Sequence, residues 1–543
     1  MEFRCPFPAC RELLQPYIRT VSMSIAPSPS RHAAAYARAC EARDARFDGI
    51  FFVGITTTRI YCRPVCPARI SYPDNRRFFG SAAAAERAGF RPCLRCRPEL
   101  APGRALIDSV SRLAHTAAYR IEAGALNEHG VTDLARELGV SARHLRRALE
   151  RELGVSPLQL AQTHRLLLAR RLLLDTVLPV TQVAFASGFR SLRRFNAVFQ
   201  SQYRIPPRAL RRPDARQAGR LDMASDDRLR LTLSYRAPLA WDTMLAFLAH
   251  DAIPGMETVD GRRYGRTICV GAHQGVVFVD DARELTTPQR RVEVDFPGAR
   301  ESLTRPRRVA NWSKQSYLNV DLSTSLVPVL MPLLARLRRL FDLDADPNVI
   351  DANLTHGGLT ELVAERPGIR IPGAVDGFDV ALRLLVGGRF SASSSAREAM
   401  RRVVDALGEP IDTGFSALSR LAPSAARVVG AGRAALHELG VAPSRSEAIV
   451  SVARLVAEQT LRLDPGSDLI ATRNLLTEGA GVSHGLATLI VMRALSWPDA
   501  WPDSDPSLRR ALRTPASRAL APRADRWRPW RAYGALHLLA MDR

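Results

Sequence analysis

The sequence predicts a multidomain protein: a small metal-bound unit, an all-α pair of helix-turn-helix units, an α+β sheet layer and an all-α C-terminal region. Three observations carry this expectation. Cys62, Cys66, Cys93 and Cys96 form two close pairs, C-x3-C and C-x2-C, separated by 26 residues. A short helix, glycine turn and basic helix near residue 139 recur near residue 188. Period-two alternation runs from about 228 to 322 and yields to helical periodicity from Leu340 onward.

Length and charge bound the partners before any motif does. The chain has 543 residues, room for three to five domains, with a formal net charge of +23 and pI near 10.8. A charge of that size points to a polyanion, and nucleic acid is the first class to consider. Lys314 is the only lysine, so arginine carries the positive charge, and its planar fork suits phosphates and base edges. Every long apolar stretch is interrupted by Arg, Asp or Glu, so no membrane partner is expected and the protein reads as cytoplasmic. Residues 1–30 match nothing and read as an unassigned flexible extension. Cys5, Cys10, Cys40 and Cys269 supply no second ligand set and read as free thiols.

The four cysteines sit in Y-C-R-P-V-C-P-A-R (61–69) and G-F-R-P-C-L-R-C-R-P-E (89–99). Short loops hold two thiolates on each side, so four sulfurs can converge tetrahedrally on Zn²⁺, the closed arrangement of a structural site. A fold-stabilising zinc ribbon is the plain reading of that spacing, and it would make the chain an ordinary zinc-containing transcription factor. Two disulfides are disfavoured because nothing resembling a secretory signal precedes the pairs. The surrounding words point further. F-D-G-I-F-F-V-G-I-T-T-T-R-I-Y-C-R-P-V-C-P-A-R, N-R-R-F-F and A-A-A-A-E-R-A-G-F-R-P-C-L-R-C resemble the methyl-accepting N-terminal domain of the Ada adaptive-response family over residues 38 to 100. That resemblance implies that Cys62, the first ligand, takes the methyl group from a methylated DNA phosphate. A zinc-bound thiol is deprotonated, and a thiolate is the reactive species. Zn²⁺ with four thiolates carries two net negative charges, and converting Cys62 to a thioether leaves one, a switch in affinity for a polyanion. Arg63, Arg69, Arg95 and Arg97 would offset the remainder and grip phosphate.

V-T-D-L-A-R-E-L-G-V-S-A-R-H-L-R-R-A-L (131–149) is echoed by V-T-Q-V-A-F-A-S-G-F-R-S-L-R-R-F-N-A-V-F (180–199). Each copy has an amphipathic helix, a glycine turn (Gly139, Gly188), a serine cap (Ser141, Ser191) and a second, basic helix. Between them, L-Q-L-A-Q-T-H-R-L-L-L-A-R-R-L-L-L (158–174) reads as one connecting helix. The tandem resembles the AraC/XylS-type DNA-binding domain over about 108 to 212, in which two units on a rigid helix enter major-groove faces about 34 Å apart. Arg143, His144, Arg146 and Arg147 in the first unit, and Arg190, Arg193, Arg194 and Asn196 in the second, become the groove and phosphate contacts. A basic helix face is often only solvated; the duplicated turn argues against that here.

Strands are expected at 228–236, 266–271, 275–280, 290–296 and 317–322, with an A-H-Q-G hairpin turn (272–275) and covering helices at 241–250 and 325–341. Farther on, R-L-F-D-L-D-A-D-P (339–347), I-P-G-A-V-D-G-F-D-V-A-L-R-L-L-V-G-G-R-F-S (371–391), L-G-E-P (407–410) and R-W-R-P-W-R-A-Y-G-A-L-H-L (526–538) resemble the AlkA-type DNA-3-methyladenine glycosylases over about 228 to 543. The resemblance implies a TATA-binding-protein-like α+β sheet domain followed by an all-α helix-hairpin-helix glycosylase domain, behind a small α+β Ada-type domain.

Within W-P-D-S-D-P-S-L-R-R-A-L (501–512) the same resemblance puts the catalytic carboxylate at Asp505, with Asp503 the second candidate. Asp followed by Pro506 is equally a helix N-cap, and both roles are compatible. One carboxylate suffices, because an N-alkylated purine is already cationic and leaves without a general acid. A lyase step needs an amine; the lysine position of bifunctional relatives falls on Gly485, so a monofunctional enzyme is expected. The chain departs from the family in several places. The hairpin reads G-A-G-V-S-H-G-L-A (479–487), keeping Gly481 but placing Ser483 where a second glycine stands, so Ser483 would have to tolerate the turn's dihedrals. Gly481 and Ser483 are nonetheless the expected phosphate contacts. Aromatic positions that would stack on a cationic base fall on Gly485, Leu489 and Leu539, forgoing roughly 0.5–2 kcal/mol of cation–π attraction each. Arg389 or Phe390 would fill the gap left by a flipped base. A glycosylase-like region that only binds DNA is the alternative. No P-C-H-R-type word occurs, so no O6-alkylguanine transfer is expected.

The expected domain limits are 1–30, 31–103 (zinc methyl acceptor), 104–212 (tandem helix-turn-helix), 213–227 (linker), 228–345 (sheet domain) and 346–543 (glycosylase domain). Zinc is the implied cofactor, the implied partners are alkylated and promoter duplex DNA with RNA polymerase, and the chain reads as a monomer.

Overall fold

Aromatic residues at 51–62 and 76–79 build the first sheet. Strands β1 (Phe52–Ile55) and β2 (Ile60–Cys62) pair antiparallel with Val53 opposite Cys62, and β3 (Arg76–Phe79) joins the far side of β1. The short β4 (Arg91–Pro92) runs parallel to β2, giving the order β3-β1-β2-β4. Pro92 sits on this edge, where a missing N–H removes no ladder bond. Helix α1 (Ala33–Ala42) covers one face, Tyr36 stacking on Phe51 at 4.0 Å; α2 (Ala82–Arg87), capped by Ser81, lies by Phe79 and Phe90 on the other. Gly54 is required there: a Cβ would stand 2.7 Å from the Phe79 ring and 2.8 Å from that of Phe90. The computed structural model describes residues 33–44, 47–68, 71–101, 112–210, 228–281, 316–388, 390, 393–512 and 521–540.

The tandem units follow the expected caps. After α3 (Arg112–Glu122), helices α4 (Val131–Glu137) and α5 (Ala142–Leu153) turn at Gly139, φ +67°, and Ser141 accepts from the His144 N–H. Helices α7 (Val180–Ala186) and α8 (Leu192–Tyr203) repeat this with Gly188 at φ +81° and Ser191 accepting from the Arg194 N–H. Leu145 and Leu149 in one unit, and Phe195 and Phe199 in the other, bury the i, i+4 face of each second helix. The connecting helix α6 (Pro157–Asp175) starts with a capping box from Ser156 and Gln159 and has 12 of its 19 residues buried, the signature of an interior helix.

The second sheet has the order β5-β9-β8-β7-β6, all antiparallel, from β5 (Arg228–Tyr235), β6 (Glu257–Asp260), β7 (Arg263–Val270), β8 (His273–Asp281) and β9 (Ser316–Ser323). Helices α9 (Trp241–Asp251) and α10 (Leu330–Leu340) pack on it through Trp241, Leu333 and Leu337. Two expectations shift. Gly271, at φ +60°, takes the hairpin turn, so His273, Gln274 and Gly275 already belong to β8. Strand β6, E-T-V-D, is too short and polar to announce itself. The expected strand at 290–296 and the linker at 213–227 lie outside the described residues, as do residues 1–30.

The helical half has an interior helix of its own, α12 (Gly377–Gly387), after α11 (Pro347–Leu354). Around it lie α13 (Ser394–Leu407), α14 (Ala425–Glu438), α15 (Pro443–Ala457), α16 (Leu469–Asn474), α17 (His484–Ala494), α18 (Pro506–Ala511) and α19 (Arg531–Leu539). Asp379 and Arg383 of α12 reach the sheet, Arg266 meeting Asp379 at 3.3 Å and Arg383 meeting Glu257 at 2.7 Å, so buried charges on both sides are paired. The C-terminal segment returns to α11, with Trp527 Nε1 donating to the Gly357 carbonyl at 3.2 Å.

The cysteine unit and the connecting helix meet at Glu86, whose carboxylate accepts from the Tyr61 hydroxyl at 3.0 Å and the Thr163 hydroxyl at 2.9 Å. Burial pushes this carboxyl up from 4.5 to about 7. A raised carboxyl makes the native state bind more protons than the unfolded one between those values, so Glu86 contributes stability below pH 4.5 that is lost by about pH 7. Thermal unfolding followed from pH 4.5 to 8 is expected to show Glu86→Gln losing less stability with rising pH than the parent; parallel profiles would contradict this junction.

Candidate functional site

Strand β2 delivers Cys62 and a tight turn, Cys66 N–H to the Arg63 carbonyl at 3.1 Å, delivers Cys66. The second limb leaves β4 with the Cys93 N–H bonded to the Tyr61 carbonyl at 2.9 Å, and Arg97 at φ +50° turns it away after Cys96. All four sulfurs lie within 4.8 Å of one another and all four residues are buried, so both pairs expected from the spacing converge. Thiols this crowded compete for protons: hydrogen bonds from Cys62, Cys66 and Cys96 hold Cys93 far below the ordinary thiol range, and hydrogen bonding to Cys66 pushes Cys62 well above it. A divalent cation relieves that competition by replacing the protons, and an all-cysteine tetrad fits zinc.

The four sulfurs are not equivalent. The Arg63 N–H donates to Cys96 Sγ at 3.3 Å and the Arg95 N–H to Cys93 Sγ at 3.4 Å, whereas among the described residues no N–H donates to Cys62 or Cys66. Hydrogen bonding lowers the electron density that makes a thiolate nucleophilic, so the more electron-rich sulfurs are those of the first limb. Cys62 and Cys66 are also the less buried pair, at 8% and 9% against 6% and 3%.

Arg63 does not lie where a phosphate contact needs it. It is 1% exposed, donates to Asp48 at 2.8 Å through Nε, pairs with the same carboxylate through Nη2, and donates to the Cys96 carbonyl at 3.2 Å. Sequence reasoning gave Asp48, within F-D-G-I-F-F, no role, because nothing local to it points to an arginine 15 positions later. Arg97 is likewise held, by Glu99 and Asp175, while Arg95 is exposed beside the cage. Arg69 lies outside the described residues.

On the tandem units, Arg143, His144, Arg146 and Arg147 of α5 are exposed, as are Arg193, Arg194 and Asn196 of α8. Both helices thus present the same outward positions around the same buried pair. Arg190 is exposed but anchored, donating to the carbonyls of Asn127 and Glu128 at 2.8 and 2.7 Å.

In the helical half Asp505 is buried at the start of α18. Its Oδ1 accepts from the Leu508 N–H at 3.3 Å, the cap, and its Oδ2 accepts from the Phe390 N–H at 3.1 Å, 115 residues away in sequence. Asp503 is half-buried beside it. Phe390 is 3% exposed, edge-on to Phe247 and beneath Arg493, so it packs in the core and does not serve as a wedge; Arg389 lies outside the described residues. A cavity of about 20 Å³ behind Phe390, room for one water, is edged by Asp251, Arg383, Arg397 and Arg493.

The hairpin between α16 and α17 is exposed at Gly481 and Ser483. Gly481 takes φ +68°, the conformation that needs glycine, and Ser483 sits at φ −60°, ψ 148°, so serine there carries no strain. Leu489 and Leu539 are buried in the core, and a Cβ on Gly485 would stand 1.7 Å from Ser504 Oγ, so a ring at 485 is sterically excluded. Trp501 and Trp527 are buried edge-on at 5.5 Å, as core side chains.

Three family models match this chain: the metal binding domain of Ada over residues 35–99, a helix-turn-helix domain over 134–213, and the AlkA N-terminal domain over 230–310 and 306–376. A "Probable bifunctional transcriptional activator/DNA repair enzyme AlkA" of Mycobacterium tuberculosis is 36% identical over 508 residues, covering 92% of this chain and 95% of the relative. The DNA-3-methyladenine glycosylase 2 of Escherichia coli is 29% identical over 309 residues, 56% of this chain and 95% of that protein. The bifunctional transcriptional activator/DNA repair enzyme Ada of Escherichia coli is 34% identical over 131 residues, 24% of this chain and 35% of that one.

Replacing Cys96 with serine is expected to cut zinc content from one ion per chain to a small fraction, read by metal analysis of purified protein, and to loosen the 61–66 and 93–97 limbs in hydrogen exchange. Full zinc retention would show that the metal is held elsewhere.

Proposed function

This chain belongs to the family of AlkA-type bifunctional transcriptional activator/DNA repair enzymes, and on that footing we propose that it senses, signals and removes DNA alkylation in one polypeptide. The cage carries the proposal, because only Cys62 and Cys66 present sulfurs free of N–H donation and the family's methyl acceptor aligns with Cys62. Cys62 attacks the methyl carbon of a DNA methylphosphotriester: an S–C bond forms, the C–O bond breaks, and the electron pair stays on oxygen as a phosphodiester anion. Zinc bound by Cys62, Cys66, Cys93 and Cys96 supplies the deprotonation that makes these sulfurs reactive at neutral pH. The thioether product is stable, so each chain reacts once. One negative charge fewer beside Arg95 raises affinity for duplex.

In this reading Arg143, Arg146, Arg147, Arg193, Arg194 and Asn196 hold promoter DNA for RNA polymerase, and the protein works as a cytoplasmic monomer with functional limits near 31–103, 104–212, 228–345 and 346–543. Among the described residues no helix is long and apolar enough to cross a membrane. The C-terminal half excises N-alkylated purines: with the base flipped from the duplex, the glycosidic electron pair leaves with the cationic base, and the Asp505 carboxylate stabilises the sugar cation while water adds to it. With Gly485 in place of an amine the reaction ends at the abasic site. Gly481 and Ser483 supply the exposed turn that holds backbone phosphate. The core positions of Leu489 and Leu539 favour a second reading, in which this half binds DNA without excision.

Two measurements decide. Mass analysis of the Cys62 peptide after incubation with methylphosphotriester duplex is expected to show one added methyl; methyl on Cys66 alone, or none, overturns the acceptor assignment. Abasic-site formation on duplex carrying N-alkylpurines is expected to fall about 10²–10³-fold in Asp505→Asn, whereas no release by the parent protein supports the binding-only reading.

A further inference from the structure

One helix holds both limbs of the cage, and nothing in the methyl transfer itself requires it. In α6, Thr163 Oγ1 donates to Glu86 at 2.9 Å, and Glu86 accepts from the hydroxyl of Tyr61, the residue before Cys62, at 3.0 Å. Two turns along the same face, Arg170 donates Nη2 to the Cys93 carbonyl at 2.9 Å and pairs through Nη1 with Glu99. Glu99 also accepts from Arg97 Nε at 2.9 Å, and Arg97 closes on both oxygens of Asp175, the last residue of α6, at 2.7 and 2.8 Å. Arg170 is 1% exposed, so its charge acts in a low-dielectric interior within one peptide of a ligand sulfur. The ends of α6 lead within a few residues to α5 on one side and to α7, which turns into α8, on the other, and α6 shares buried packing with both recognition helices, so a shift of this helix moves both.

We propose that α6 transmits the state of the cage to the DNA-reading helices, with Thr163 as the positioning residue on the Cys62 limb and Arg170 on the Cys93 limb. The inference rests on Cys62 being the methyl acceptor. Four thiolates attract the Arg170 guanidinium more strongly than three thiolates and a thioether do, so alkylation slackens the hold of the cage on α6. Linkage makes the coupling reciprocal: duplex held by α5 and α8 must alter the equilibrium hold of the cage on α6 by the same factor. A switch acting only through charge facing the phosphates would need neither Thr163 nor Arg170.

The test compares duplex affinity of Cys62-methylated and unmethylated full-length protein, using a duplex selected from a random pool by the methylated parent. The variants are Thr163→Val and the pair Arg170→Met with Glu99→Gln, which leaves no buried carboxylate uncompensated. In the parent, methylation is expected to tighten binding about tenfold, and in each variant that ratio is expected to fall toward one while zinc content and the slope of affinity against salt stay unchanged. A parent-sized ratio in Thr163→Val, or in the double variant with zinc retained, overturns the proposal; if the double variant loses zinc, Thr163→Val alone decides. Absence of methyl on Cys62 in the parent would instead sink the acceptor reading, and the mass measurement distinguishes that failure from this one.

Discussion

The arrangement of the N-terminal units depends on α6 carrying apolar residues on more than one side. Apolar residues that face different directions each need a neighbour to cover them. Leu160 and Ala161 join the core of the first helix-turn-helix unit with Leu145 and Leu149. Leu166, Leu172 and Leu173 join a second core that contains Phe195 and Phe199 of the second unit and continues into Leu229, Leu318 and Leu333 of the sheet domain. The regulator and the repair half therefore share apolar packing, although the sequence suggests a linker between them. Of the buried polar groups on this helix, Thr163 and Arg170 find partners in the cysteine unit, whereas Arg171 Nε and Nη2 have none among the described residues.

What was legible in the sequence is what depends on local chemistry. Donor type and spacing marked the cage, because two thiolates per short loop have few other uses. Serine caps and left-handed glycines marked both helix-turn-helix units, and these are properties of four or five consecutive residues. Pairings between distant residues were not legible. Arg63 beside a ligand reads as a phosphate contact until Asp48 is seen beneath it, and nothing in the run of alanines before Glu86 points to Tyr61 and Thr163 as its partners. In the repair half the order of elements was readable, but conformation at Ser483 was not, since only the backbone shows that the left-handed residue of that turn is Gly481.

The two proposed reactive centres pose opposite electrostatic problems. The cage concentrates negative charge, which a cation at its centre and the buried guanidiniums of Arg63 and Arg170, bonded to the Cys96 and Cys93 carbonyls of the second limb, offset. Asp505 is a single carboxylate, held by one N–H from its own helix and one from the segment after α12. A cap needs only the first of these. The second fixes the plane of the carboxylate relative to the loop that follows α12, so the position of Asp505 is set by the fold of the whole helical half and not by α18 alone.

If Asp505 acts as proposed, selectivity in that half follows from the space next to it. Because residue 485 has no Cβ, the hydroxyl of Ser504 lies against the first turn of α17, where any larger side chain would collide with it. Leu489 and Leu539 are committed to the core and cannot swing out to stack on a base without opening a cavity, which costs 2–5 kcal/mol for a leucine. Ground-state stacking on a cationic purine is therefore weak on this wall. On the proposed excision, discrimination arises as the glycosidic bond breaks, when the charge of the lesion passes to the sugar and would meet the Asp505 carboxylate. An alkylated purine gains from that transfer because its own charge is neutralised as it leaves, and an undamaged purine does not, so one well-held carboxylate can favour damaged bases even where aromatic walls are missing.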